Sequence, residues 1–257
     1  MSSNTNIEPI LTSFRGIDLE QIKSVALMNR IDTKYIFHKN MLPVLLEEAR
    51  KDYEILSFDG LHAFTYFSEY YDTAENEMYL RHHNGIQSRF KIRIREYVES
   101  NTRFLEIKNR NNKKKTVKTR IILPERRNHF SEEEMRFIAE NSPYSASQLQ
   151  KSVISNFRRI TLANRDWKER ITIDTIPEFI YNDEKVILGD LIICEVKKDP
   201  GQYMTPMEHL LRELRIKPFR ISKYCLGTVL LKKNIKSNLY KEKLILLNKK
   251  LKYATTG

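Results

Sequence analysis

Polar and apolar residues alternate with a period of two in eight stretches of this chain. They are Arg30–Phe37, Phe64–Tyr71, Arg89–Tyr97, Arg103–Arg110, Thr116–Leu123, Val153–Leu162, Lys168–Asp174 and Val186–Lys197. In an extended strand that period puts residues i, i+2 and i+4 on one face. Four other stretches read as helices. Ile17–Met28 is helix-like, and Met41–Lys51 carries Pro43 in its first turn with acids ahead of bases. Ser131–Asn141 opens on an N-cap serine followed by Glu132, Glu133 and Glu134, and Met207–Ile216 stops ahead of Pro218. Connections as short as Tyr97 to Arg103 suit antiparallel neighbours. The pattern predicts an α+β fold whose antiparallel sheet has enough strands to close into a barrel. No repeat of fixed period and no Gly/Ser- or Pro-rich linker divides the chain, so a single domain is predicted.

Composition narrows the setting. The chain has 257 residues, 40% hydrophobic and 30% charged, with 7 Gly and 8 Pro, which excludes collagen-like, low-complexity and largely disordered classes. Two cysteines, Cys194 and Cys225, both in apolar strings, exclude a disulfide scaffold and a Cys-rich zinc site. The N-terminal MSSNTNIEPILTSFRG lacks the plan of a signal peptide, and Gly189 and Asp190 interrupt the longest apolar run. A soluble protein of a reducing, cytoplasmic compartment is predicted, with no membrane span.

The charge changes the picture more. Lys plus Arg total 45 against 33 Asp plus Glu, a formal +12. Such a surplus predicts attraction to nucleic acid, an acidic membrane face or phosphate-rich small molecules. The alternation says where the surplus lies. On the polar strand faces stand Lys91, Arg93, Arg95, Lys108, Arg110, Lys118, Arg120, Arg159, Lys168, Arg170 and Lys197, against Glu106, Asp174 and Glu195. A solvated sheet face usually mixes signs, because like charges directly opposite one another destabilise the pairing. Two cations about 6 Å apart at an effective dielectric near 20 repel by roughly 3 kcal/mol. The clustering makes sense if a polyanion sits among the cations, or if the polar face lines a water-filled bore. Arginine grips phosphate oxygens with a planar fork, and a carboxylate such as Glu195 can share Mg²⁺ or Mn²⁺ with phosphate, or else pair with a neighbouring arginine.

The strings LMNRIDTKYIF, YYDT, RFKIRIREY, FLEIKNR, VKTR, ERITIDT, CEVK and ISKYC occur in this order between Leu27 and Tyr224. Together they resemble the vacuolar transporter chaperone (VTC) polyphosphate polymerase domain, within the triphosphate tunnel metalloenzyme (CYTH-like) superfamily. The resemblance implies an eight-stranded antiparallel β-barrel, the triphosphate tunnel, with helices outside. It places that domain over residues 1–231, with a Lys-rich tail over 232–257. The implied reaction moves the ATP γ-phosphate onto a polyphosphate chain, releasing ADP, with Mn²⁺ or Mg²⁺ as cofactor. Carried over by motif, Lys34, Arg93, Arg95, Lys108, Arg159 and Arg170 become the catalytic set. Lys91, Lys118, Arg120, Lys197, Ser222 and Lys223 become further phosphate contacts, and Glu195 the metal ligand. ATP and polyphosphate are the implied partners, and nucleic acid is not expected.

Two departures stand out. Phe157 occupies a position where some family members carry tyrosine, and the ExExK motif of the triphosphatase branch is missing, Asp32 being the one acid of RIDTKY. The polymerase is therefore the leading function. Hydrolysis of inorganic or nucleoside triphosphate, and non-enzymatic binding of polyphosphate or nucleic acid, are the rivals. No GxxxxGK[ST] loop is present. The pair His82-His83, ahead of Asn84-Gly85, reads as loop rather than metal site, and Trp167, Tyr66, Tyr70 and Tyr71 read as packing residues. The tail reads as a solvated helix with one packed apolar side, or as a helix for an acidic membrane surface.

Overall fold

The computed structural model describes residues 6–24, 30–113, 115–166 and 168–252. The strands are β1 (Gly16–Ile17), β2 (Ile31–His38), β3 (Tyr53–Leu56), β4 (Ala63–Asp72), β5 (Arg89–Tyr97), β6 (Thr102–Arg110), β7 (Thr116–Leu123), β8 (Gln150–Asn164), β9 (Glu169–Tyr181), β10 (Glu184–Ile187) and β11 (Leu191–Lys198). The α-helices are α1 (Glu8–Thr12), α2 (Leu19–Ser24), α3 (Leu42–Ala49), α4 (Glu77–His83), α5 (Glu132–Asn141), α6 (Pro206–Glu213), α7 (Lys223–Leu231) and α8 (Lys241–Lys252). Eight strands pair in the order β2-β11-β9-β8-β4-β5-β6-β7, each antiparallel to the next. The short β1, β3 and β10 attach at the side, β1 pairing with β3 in parallel.

Apolar residues at alternate strand positions build most of the outer face. Under α1, α3 and α6 it contributes Tyr35, Ile160, Ile171, Ile173, Ile192, Cys194 and Val196. Under α5 it contributes Ile92, Ile94, Leu105 and Ile107. Capping boxes fix both flanking helices: Ser131 with Glu134 starts α5, and Thr205 with Glu208 starts α6.

The sheet curls so that strands far apart in the order reach one segment. Lys34 of β2, Asp174 of β9 and Lys91 of β5 stand first, third and sixth in the strand order, yet all three reach the segment Ile221–Lys223. The end strands β2 and β7 are not hydrogen-bonded to each other. The outer edge of β2 is taken instead by Pro218 and Phe219, whose amide donates to the Lys34 carbonyl at 2.7 Å.

Half of the inner face is apolar and filled. Ile36, Val153, Phe179, Leu191 and Ile193 pack against Ile221, Leu226 and Leu231 of the α7 region and Leu247 of α8. Gly227 lets α7 approach so closely that an added Cβ would lie 2.6 Å from both Phe179 and Val153. Phe179 reaches this face through a bulge: between Asn156 and Arg158 of β8 the partner strand carries an extra residue, and Ile176 there adopts φ 49°.

Several elements differ from the sequence pattern. Ile17 lies in β1, and the first predicted helix is confined to Leu19–Ser24, its later part falling outside the described residues. The predicted strand Val186–Lys197 is two strands, split by Leu188–Asp190. His82 and His83 end α4 instead of lying in a loop; the Asp72 carboxylate accepts from the Met78 and Tyr79 amides and so anchors that helix from β4. Trp167 lies outside the described residues. In the tail, α8 packs one side on the core, while Leu239, Ile245 and Leu246 are exposed. Among the described residues no helix is long and apolar enough to cross a membrane.

Candidate functional site

The other half of the inner face is polar, and strand register builds it row by row. Lys91, Lys108 and Lys118 stand directly opposite one another across β5, β6 and β7, and the next row is Arg93, Glu106 and Arg120. Arg95 follows, its Nε donating to Ser68 on β4 at 3.1 Å. On the facing wall Arg159 of β8 pairs with Asp174 of β9, Arg170 opposes Lys197 of β11, and Glu195 opposes Lys34 of β2. The N-terminus of α7 closes the end. Ser222 caps that helix and accepts from Lys91 Nζ at 2.9 Å, Lys34 Nζ donates to the Ile221 carbonyl at 3.1 Å, and Lys223 pairs with Asp174. The nine-residue helix thus turns its positive dipole end toward the cations.

These charges are enclosed, not spread over an exterior. Arg95 and Lys197 are each 7% exposed, Asp174 2% and Glu106 0%. Lys118 and Arg120 sit at the open rim on β7, Arg120 stacking on Phe104 at 4.3 Å, and Lys168 precedes β9 as an exposed residue. Among the described residues no carboxylate pairs with Lys91, Arg95, Lys108 or Arg170.

The electrostatics follow. Burial, then Arg93 and Arg95, pull the Lys108 ammonium well below its ordinary range. Lys223 and Lys118 are each pulled down to about 8, chiefly by burial and against the support of Asp174 and Glu106. Burial works to raise the Glu106 and Asp174 carboxyls. Arg93, Arg95 and Lys118 outweigh it at the first, and Arg159 and Lys223 at the second, so both stay ionised. At Glu195 burial is likewise overcome by Lys197 and Lys34, which lie 2.5 and 3.7 Å from its two oxygens.

Aromatic rings form the floor. Tyr66 stacks on Phe157 with ring centres 5.5 Å apart. The Arg159 guanidinium lies 4.7 Å from the Tyr66 ring and Lys223 Nζ 4.2 Å from the Phe157 ring. Phe157 therefore offers no hydroxyl but carries cations on its face. Tyr70 meets Arg93 through its hydroxyl at 3.4 Å, and burial, which raises its pKa, loses to Arg93, Arg95 and Lys91, bringing the phenol down to about 8. Tyr66 and Tyr70 are thus part of the site. Their spacing of four on one strand, which puts both on the same face of β4, was the sequence signal for it, and register sets Tyr70 opposite Arg93. His82 borders the cations, and burial, then Lys91 and Arg89, push its imidazole down to about 2, leaving it neutral.

Cations delivered by seven strands and one helix start thus gather on the inner face of a curled antiparallel sheet, in an α+β protein with its helices outside. The VTC domain model matches residues 29–232, and the chain belongs to the VTC domain family. No curated protein matches it in sequence. Solved structures are similar to the chain at low identity. A candidate adenylate cyclase from Bacillus halodurans superposes with a TM-score of 0.50 at 14% identity, over 75% of this chain and 93% of its own. A candidate adenylyl cyclase from Hippeastrum, described as having a dominant triphosphatase activity, gives 0.48 at 12% identity over 80% and 98%. A protein from Pyrococcus horikoshii OT3 gives 0.44 at 16% identity over 79% and 100%.

Proposed function

We propose that this protein is a polyphosphate polymerase, which transfers the γ-phosphate of ATP onto a polyphosphate chain within the polar half of the concavity. The observation that carries the reading is the set of desolvated cations without carboxylate partners, an arrangement that a chain of phosphates satisfies. Arg93, Arg95, Lys108, Arg159 and Arg170 hold the triphosphate in line, and Lys34 steadies the phosphate in transit. Lys91, Lys118, Arg120, Lys197, Ser222 and Lys223 hold the remaining phosphate oxygens. Phosphoryl transfer has a loose transition state, so positioning and charge stabilisation are what these residues supply. The attacking oxygen of a terminal phosphate is already ionised, and no general base is needed.

Among the described residues no three His, Cys, Asp or Glu side chains cluster as a metal cage. Glu195 turns its carboxylate to the concavity between Lys34 and Lys197, and it would be the residue to hold Mn²⁺ or Mg²⁺. The ion, when bound, neutralises phosphate charge. We place the activity in the cytoplasm, where ATP is available and the buried thiols of Cys194 and Cys225 stay reduced.

Incubation with γ-labelled ATP and Mn²⁺ or Mg²⁺ tests the reading. Label in long polymer supports transfer, label released as orthophosphate alone replaces it with hydrolysis, and salt-sensitive binding without turnover makes the protein a binder. Glu195→Gln should abolish divalent-dependent turnover without weakening tripolyphosphate binding in the absence of metal.

A further inference from the structure

Two acids of the inner face stand apart from Glu195. Glu106 is fully buried and accepts from Arg93 Nε at 2.8 Å and Nη2 at 2.6 Å through one oxygen, while its other oxygen pairs with Lys118. Asp174, equally enclosed, takes Arg159 in a two-pronged pair at 2.6 and 2.8 Å, and pairs with Lys223 as well. Each acid therefore ties one arginine to one lysine from a different element: β5 to β7 through Glu106, and β8 to the start of α7 through Asp174. Neither sits where it could be spared by water, since both are almost wholly desolvated.

In a site that binds polyanions such acids are a paradox. Each subtracts a positive charge and competes with phosphate for the same donors. Their geometry resolves it: a carboxylate uses two N–H groups of a guanidinium that has five, and so fixes the plane of the fork while leaving donors for the ligand. The second bond, to a lysine on a neighbouring element, fixes the spacing between the two cations.

We propose that Glu106 and Asp174 are positioning residues, which hold Arg93 with Lys118 and Arg159 with Lys223 in the orientation for phosphoryl transfer before substrate arrives. This rests on the phosphate-transfer reading above. The acids trade ground-state attraction for orientation. Removing either leaves the concavity more cationic but its arginines free to turn, so anion affinity rises while turnover falls.

The test compares Glu106→Gln and Asp174→Asn with Glu184→Gln, which removes the same charge from an exposed ion pair with Lys233. Binding of inorganic tripolyphosphate is measured by calorimetry, and ATP turnover is measured with Mn²⁺ present. The two buried variants should bind tripolyphosphate up to about tenfold more tightly and lose about a hundredfold in kcat. Glu184→Gln should match the parent in both. Asp174→Glu should return binding to the parent level and recover part of kcat. Weaker tripolyphosphate binding in both buried variants, or an unchanged kcat in either, overturns the assignment. If Glu106→Gln does not fold, the Asp174 pair decides alone. If the parent binds tripolyphosphate yet turns over no ATP, the transfer reading falls. Tighter binding confined to the buried variants still supports the acids as holding the cations against the ligand, and no tightening overturns it.

Discussion

The two halves of the inner face are built from the same strands and obey opposite physics. On β2, Lys34 lies in the polar half and Ile36, two residues on, in the apolar half; on β11 the same step separates Glu195 from Ile193. In the apolar half, Phe179, Val153 and Ile193 gain by excluding water against α7. In the polar half like charges face each other across three strands, an arrangement that opposes folding. The helix α7 belongs to both, its body in the apolar packing and its first residues among the cations. The difference teaches a division of labour. Packing at one end of the curl holds the strands close enough to keep cations together at the other, where they are useful to a ligand and costly without one.

That contrast can be broken from either side. Phe179→Ala should have the largest effect, a loss of about 3–5 kcal/mol in chemical denaturation, because it empties the contact under Gly227. From the other side, saturating tripolyphosphate should stabilise the protein by about 3 kcal/mol at a hundredfold excess over Kd, a rise in Tm of roughly 6–12 °C. Sodium chloride of equal ionic strength should give little of it. Lys108→Met sharpens the comparison. Removing a half-buried ammonium without a carboxylate partner should stabilise the ligand-free protein by roughly 1–3 kcal/mol and weaken tripolyphosphate binding at least tenfold. If Lys108→Met destabilised the protein, the polar half would not be the costly one.

The smallest effect is on pH. Lys223, at about 8 in the folded protein against 10.5 ordinarily, binds fewer protons folded than unfolded between those values. Stability of the ligand-free protein should therefore rise with pH across that window, while tripolyphosphate affinity should fall as pH passes 8. Parallel melting and binding titrations check the opposite signs.

Legibility in the sequence followed the same division. Strands β5 and β7 carry the boundaries that the alternation gives, because apolar residues recur at alternate positions on their outer faces, Ile92 and Ile94 on β5 and Ile121 and Leu123 on β7. The cations they bear were readable with them. The helix α7 was not: KYCLGTVLL is apolar on every side because sheet, α4 and α8 surround it, so no amphipathic period exists. Nor was Phe179 readable as inward-facing, since the bulge at Ile176 breaks the alternation that places Asp174 inside. Ser222 and Lys223 stood out through family resemblance, their position at the α7 cap depending on a fold that brings residues far apart in the chain together. The partners of Glu106 depend on cross-strand register, which composition does not encode.

The central claim is that these cations share one enclosed polyanion. A crystal structure with a non-hydrolysable ATP analogue and Mn²⁺ tests it most directly. The phosphates should lie inside the curl, within hydrogen-bond reach of Arg93, Arg95, Arg159 and Lys223, with the ion at Glu195. Phosphates found only on the outer surface, with the inner side chains unmoved, would contradict it.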